Sequence, residues 1–168
     1  MKKLWSPWRS QYIDSFSNAP QTTSCIFCQK EKEEVQNPDS LIVNKGEYTF
    51  TILNLYPYNN GHLMVVPYRH LNDFSLLTET ENLEIMVKLQ LAQQALSIAM
   101  KPHGFNIGAN IGKVSGAGID DHLHFHIVPR WNGDTNFMPV LGEVKVLSED
   151  LKQTKAKLLA AYLKISGK

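Results

Sequence analysis

The hydrophobic pattern changes period along the chain. Between residues 40 and 67, apolar positions fall in short runs divided by turn residues. Leu41 to Asn44 and Tyr48 to Leu53 read as two strands joined by the turn Lys45-Gly46-Glu47. Tyr56-Pro57-Tyr58-Asn59-Asn60-Gly61 carries a proline and an Asn-Gly pair and predicts a loop; His62 to Pro67 predicts a third strand. From Thr78 to Met100 the pattern is helical. Thr78 and Glu81 have capping-box spacing, and Leu83, Met86, Val87, Leu91, Ala95 and Ile98 fall on one face. Pro102 and Gly104 end that helix. Gly104 to Ile111 then reads as a strand, Gly112 to Gly118 as a glycine-rich loop and Leu123 to Val128 as a last strand. Leu147 to Leu163 predicts a terminal helix capped by Ser148, and residues 1–24 look irregular.

The strands follow one another as hairpins, and one strand-to-strand connection alone holds a convincing helix. The expected fold class is therefore α+β, an antiparallel sheet with the long helix and a C-terminal helix packed on it. No repeat, linker or low-complexity segment divides the 168 residues. A single domain is expected over 1–168, with 1–24 as an N-terminal extension and 147–168 as the C-terminal helix.

Composition narrows the function classes. The chain is 43% hydrophobic and 20% charged, ordinary for a soluble globular protein, and its net charge is +1. Such a balance gives no general pull toward nucleic acid or a membrane, so neither is expected as a partner and any phosphate site must be local. The apolar runs are strand-sized, and Met1-Lys2-Lys3-Leu4-Trp5 lacks the apolar stretch of a signal peptide, so a cytoplasmic location is expected. In that compartment Cys25 and Cys28 are not expected to form a structural disulfide.

Chemistry enters with His122-Leu123-His124-Phe125-His126, which holds three of the six histidines. Alternation on a strand puts the three imidazoles on one face and Leu123, Phe125 and Ile127 on the other. The apolar set is a normal core face. Three neighbouring imidazoles are costly to bury unless each has a partner, so a chemical role is expected. Two chemistries fit: the rings bind a catalytic metal, or one ring is a nucleophile whose neighbours set its tautomer and handle the leaving group. Gly112-Lys113-Val114-Ser115-Gly116-Ala117-Gly118 precedes the strand. Its glycines can turn backbone N–H groups toward an anion, and Ser115 and Lys113 can add donors, which favours phosphate.

His122-Leu-His124-Phe-His126 with Ile-Val-Pro-Arg130, together with Asn54 and Gly61-His62-Leu-Met-Val-Val-Pro67, resembles the signature of the histidine-triad family of nucleotidyl hydrolases and transferases. The similarity runs over roughly residues 25–140. Leu4-Trp5-Ser-Pro7-Trp8-Arg9, Gly116-Ala117-Gly118-Ile119-Asp-Asp121 and the run Pro129 to Phe137 resemble the bacterial branch containing diadenosine tetraphosphate phosphorylases. The resemblance implies a sheet that pairs into a homodimer or higher homo-oligomer. It implies His124 as the nucleophile on the α-phosphorus, with His126 and His62 shaping the phosphate site, Asn54 near the ribose and Asn110 near the scissile phosphate. Ser115, Gly116, Ala117 and Gly118 are the expected phosphate loop. Hydrolases of the family carry a glutamine where this chain has Gly118, a departure compatible with the phosphorylase branch. The implied substrate is an adenine dinucleotide polyphosphate, cleaved with inorganic phosphate or water as acceptor. The alternatives are a dinucleotide or nucleoside phosphoramidate hydrolase, and a nucleotide-sensing protein without turnover.

Cys25-Ile-Phe-Cys28 alone reads as half a zinc site, a redox pair or chance. Tetrahedral zinc needs two further ligands, for which His70 and His122 are the candidates. Bacterial relatives of the family bind structural zinc with this pattern, which would remove His122 from catalysis. No organic cofactor is expected. Of the remaining residues, His103 is explained by the helix C-terminus. Asp120 and Asp121 read as solvated or orienting groups, and Arg130 serves phosphate or a carboxylate. Trp5 and Trp8 read as packing residues, and Asp134 and Asn136 as loop-ordering residues.

Overall fold

A computed structural model describes residues 25–134 and 147–167. The expectations for Trp5, Trp8 and Asn136 lie outside these residues. In chain order come helix α1 (Ile26–Lys30), strands β1 (Ile42–Lys45), β2 (Thr49–Leu53) and β3 (Leu63–Pro67), a 3-10 turn (Phe74–Leu76) and helix α2 (Glu79–Met100). Strand β4 (Gly104–Ala109), a second 3-10 turn (Lys113–Ser115), strand β5 (Phe125–Arg130) and helix α3 (Leu151–Ile165) follow. The strands form one sheet in the order β1-β2-β3-β5-β4. Every neighbouring pair is antiparallel, as the α+β reading expects.

The sheet has two buried faces of different character. Leu53, Leu63, Val65, Leu123 and Ile127 meet Ile85, Leu89, Ala92, Ala95 and Leu96 of α2 and Leu158 and Ala161 of α3. On the opposite face Phe50, Ile52, Met64 and Val66 pack with Phe27 of α1. The period of two sends the odd residues of 123–127 into the helix layer and His122, His124 and His126 to the α1 side.

Helix α2 begins as its sequence dictates: Thr78 and Glu81 form a complete capping box. Its buried face shares only Ala95 with the apolar face read from the sequence. Leu83, Met86, Val87 and Ile98 are exposed, while Ile85, Leu89, Ala92 and Leu96 are buried. At 100° per residue these sets lie on opposite sides of the helix. Apolar residues occur on both sides, so period alone could not choose; Ala92 and Ala95 let the backbone approach the sheet closely. Helix α3 starts later than expected, with Asp150 rather than Ser148 as its cap, accepting from the N–H of Gln153 at 2.9 Å.

The loop before β3 needs a glycine. Gly61 has φ +75°, and a Cβ there would lie 2.6 Å from Met100 Sδ and 2.9 Å from Leu96 Cδ2. The residue that follows it is His62.

Candidate active site and metal centre

The assigned strand β5 starts at Phe125, two residues later than the sequence predicts. Only His126 of the three histidines thus lies in the regular ladder, where it pairs with Met64 and Gly108. Leu123 is held by its N–H to the carbonyl of Leu71 at 2.7 Å. That bond keeps the alternation of faces through the irregular start.

The rings on the α1 face divide into two groups. His62, fully buried at the mouth of β3, places Nε2 2.9 Å from His126 Nδ1. The backbone N–H of Tyr58 reaches His62 Nδ1 at 3.1 Å. A backbone N–H can only donate, so Nδ1 is the acceptor and the His62 proton resides on Nε2. That proton is donated to His126 Nδ1, which leaves the His126 proton on Nε2. The rings of His126 and His124 meet edge to face at 4.8 Å. His124 donates from Nδ1 to the carbonyl of His122 at 2.8 Å, so its lone pair is on Nε2. Burial lowers the His124 pKa from its ordinary value, only partly opposed by that bond, and the ring is neutral at pH 7.

His122 belongs to the second group. It donates from Nε2 to the carbonyl of Pro67 at 2.9 Å, which aims the lone pair of Nδ1 at the cysteines. That atom lies 3.3 Å from Cys25 Sγ, 3.6 Å from Cys28 Sγ and 3.3 Å from His70 Nδ1. The ligand atoms of Cys25, Cys28, His70 and His122 all lie within 4.8 Å of one another. Two sulfurs and two imidazole nitrogens at this spacing suit a tetrahedral metal ion with all four positions supplied by protein, and the Pro67 bond is the outer support such a histidine normally has. The thiol of Cys25, the N-cap of α1, is pushed up to about 11 by burial. Behind the site Arg69 binds the Glu81 carboxylate through Nε at 2.9 Å and Nη2 at 2.7 Å, so the residue before His70 is fixed to the start of α2.

The remaining candidates are placed as follows. Asn54 is buried; its Oδ1 accepts the N–H of Tyr56 at 2.9 Å and its Nδ2 lies 3.3 Å from His62 Nδ1. Asn110 follows Ala109, which pairs with Phe125, and so sits at the level of His124. Gly116, Ala117 and Gly118 are half-buried, with φ +87° at Gly116. The Ser115 hydroxyl donates to the carbonyl of Gly112 at 2.6 Å, closing the turn. Lys113 lies 3.8 Å from Asp120. Arg130 serves a carboxylate: Nε and Nη2 bind Asp134 at 2.6 and 2.9 Å. His103, two residues past the helix C-cap, accepts the N–H of Asn132 on Nδ1 at 3.0 Å and donates its backbone N–H to the Arg130 carbonyl at 2.8 Å, tying the start of β4 to the end of β5.

Sequence reasoning missed three contributors. Phe27, between the cysteines, packs on His124 and His122 with centroids 5.0 and 5.4 Å apart. Tyr58 sets the His62 tautomer through its backbone, which no side-chain motif reveals. Phe27, Ile52, Leu53, Asn54, Tyr56, Met64 and Ile119 line a small apolar pocket beside the histidines.

The HIT domain model matches residues 34–133, and the chain belongs to that family, the histidine-triad proteins. Among its relatives, an AP-4-A phosphorylase of Mycobacterium tuberculosis is 39% identical over 166 residues, covering 95% of this chain and 83% of that protein. Adenosine 5'-monophosphoramidase HNT1 of Saccharomyces cerevisiae is 28% identical over 115 residues, covering 67% of this chain and 68% of that one. In fold the chain is similar to a Zn-bound histidine triad family protein from Mycobacterium smegmatis, with a TM-score of 0.68 at 23% identity over 86% of this chain and 97% of that chain. Among the described residues no helix is long and apolar enough to cross a membrane.

Proposed function

We propose that this chain cleaves a dinucleoside polyphosphate, with diadenosine tetraphosphate as the favoured substrate, through a nucleotidyl-histidine intermediate, and that inorganic phosphate is the acceptor. The observation that carries the reading is the pair of opposite tautomers on adjacent rings: His124 offers a lone pair on Nε2 and His126 a proton on Nε2. Nε2 of His124 attacks the α-phosphorus; a P–N bond forms and the P–O bond to the departing nucleoside triphosphate breaks. His126 donates from Nε2 toward the departing oxygen. A phosphate oxygen then attacks the same phosphorus, breaks the P–N bond and releases a nucleoside diphosphate. Asn110 and the backbone N–H groups of Ala117 and Gly118 supply donors to the phosphates, while Ser115 and Gly116 close the turn that presents them; His62 holds His126, and Asn54 borders the ribose. The base enters the apolar pocket beside Phe27. The 39% identity to an AP-4-A phosphorylase supports this substrate class.

Cys25, Cys28, His70 and His122 would hold zinc, which supplies structural ligation there and takes no part in the chemistry. A homodimer is part of the same reading. Edge strand β4 exposes Ile107, and α2 exposes Leu83, Met86, Val87 and Ile98, an apolar set that a second copy would cover. The reading places the protein in the cytoplasm, where reduced cysteines keep the metal.

A second reading keeps the site and changes the acceptor to water, as a dinucleotide or phosphoramidate hydrolase; the 28% identity to a phosphoramidase favours it. Incubating diadenosine tetraphosphate with and without phosphate separates the two. ADP and ATP formed only with phosphate are expected; AMP and ATP at full rate without phosphate would overturn the phosphorylase. His124→Asn should abolish turnover while nucleotide still binds. Turnover surviving in that variant would remove the nucleophile, and an inactive wild type that binds nucleotide would leave a sensing protein.

A further inference from the structure

The rings on the α1 face form an unbroken row. Tyr58 meets His62 at 4.6 Å, His62 meets His126 at 5.0 Å and His126 meets His124 at 4.8 Å. Phe27 follows at 5.0 Å from His124, then His122 at 5.4 Å from Phe27, then His70 at 5.0 Å from His122. Phe27 is the hydrocarbon member between the reacting rings and the cysteine–histidine cluster. It comes from neither β3 nor β5 but from α1, where Cys25 and Cys28 flank it.

What holds α1 in place decides what Phe27 can do. The helix has five residues, too few to be stable alone, and Cys25 makes no side-chain capping bond. Phe27 is its one buried residue, 3% exposed. The helix is thus attached to the sheet by the Phe27 ring and by the two cysteines that face His70 and His122. Opposite, the His124 ring has its Nδ1 on the His122 carbonyl, its edge against His126 and Phe27 packed on it. The hydrogen bond fixes one atom of the ring. The tilt that aims Nε2 is fixed by the packing.

We propose that Phe27 is a positioning residue: it holds His124 in its attacking orientation and makes that orientation depend on an intact Cys25–Cys28–His70–His122 cluster. This rests on His124 being the nucleophile, as argued above. A bulky apolar side chain satisfies the role, because the contact is one of shape, and a small side chain leaves His124 room to turn. Loss of the cluster releases α1 and withdraws the same contact without touching a catalytic histidine.

The test uses the zinc-loaded full chain and the variants Phe27→Leu and Phe27→Ala. Formation of the nucleotidyl-histidine is followed in a single turnover with diadenosine tetraphosphate, and AMP affinity is measured by calorimetry. Phe27→Ala should slow the single turnover roughly 30- to 100-fold, the scale of a small misplacement of a reacting group. Single turnovers are run at saturating dinucleotide, because Phe27 also lines the pocket proposed for the base and AMP affinity falls with its removal, and Phe27→Leu should restore most of the rate. The 15N resonances of the His124 ring should shift in Phe27→Ala and in chelated wild type alike. Chelation should slow wild type far more than it slows Phe27→Ala, since both remove one contact and their effects are not additive. An unchanged single-turnover rate, a loss confined to AMP affinity, or chelation and substitution effects that multiply independently would each overturn the proposal. Should Phe27→Ala not fold, Phe27→Leu and Phe27→Met carry the same comparison. His124→Asn retaining turnover would instead overturn the nucleophile itself.

Discussion

His62 Nε2 lies 2.9 Å from His126 Nδ1, and this contact joins two strands through a single proton. Since Tyr58 N–H occupies the other nitrogen of His62, the proton cannot move to the far side of that ring. His126 must then carry its own proton on Nε2. Replacing His62 by Asn or Phe should lower kcat about 10- to 100-fold, the lower range for general acid catalysis, with KM little changed. Steady-state kinetics check this; a KM effect alone would make His62 a binding residue.

Asp134 fixes the loop that presents Tyr58. Its Oδ2 accepts from Asn59 Nδ2 at 2.9 Å and Arg130 Nε at 2.6 Å. Asp134→Ala should therefore lower activity indirectly, by roughly tenfold, and cost about 1–3 kcal/mol of stability through the partners it strands. Denaturant melts and kinetics on one preparation would show both effects; full activity would detach the loop from the His62 tautomer.

Gly61→Ala meets two obstacles at once, the positive φ and the 2.6 Å approach to Met100 Sδ. The expected loss is about 1–2 kcal/mol, set mainly by the positive φ, since the Met100 and Leu96 side-chain ends can shift aside. A thermal melt with a normal midpoint would show that the loop has room.

Acid should unlock the link between His70 and α2. Arg69 beside Glu81, with the Thr78 bonds, pulls the carboxyl from its ordinary 4.5 to about 2. A lowered folded value means that the contribution is complete above about 4.5 and is lost as the pH falls toward 2. Melting midpoints of wild type should fall across that window, and Glu81→Gln should be less stable at pH 7 with a flatter acid limb. Parallel acid limbs would assign the loss to other carboxylates.

Removing the metal should lower the melting midpoint by about 10 °C, the scale of a ligand held far above its Kd. Cys25→Ser should melt like the chelated wild type and gain nothing from added zinc. Equal midpoints before and after chelation would leave the cluster as paired thiols and imidazoles.

Much of this was readable because local chemistry and global fold agreed. The Thr78–Glu81 box, the alternation through His122–His126 and the hairpin order of the strands depend on neighbours in sequence. The buried face of α2 was not readable, since apolar residues lie on both sides and only the sheet selects one. Phe27 was hidden for a different reason: its ring partners His122 and His124 lie nearly a hundred residues downstream, and an isolated phenylalanine between two cysteines carries no pattern. The division of labour among the histidines is also three-dimensional. His122 shares the strand run with His124 but turns to Cys25 and Cys28, as the zinc resemblance anticipated.

The trio proposed to act on the substrate, His62, His124 and His126, is drawn from two segments that meet only when β3 aligns with β5. No local hairpin can assemble it, because α2 and β4 intervene in the chain. Regained turnover after dilution from denaturant therefore times the closure of that long-range register, while far-ultraviolet ellipticity times the helices. The enzyme carries its own clock for the slow part of its folding.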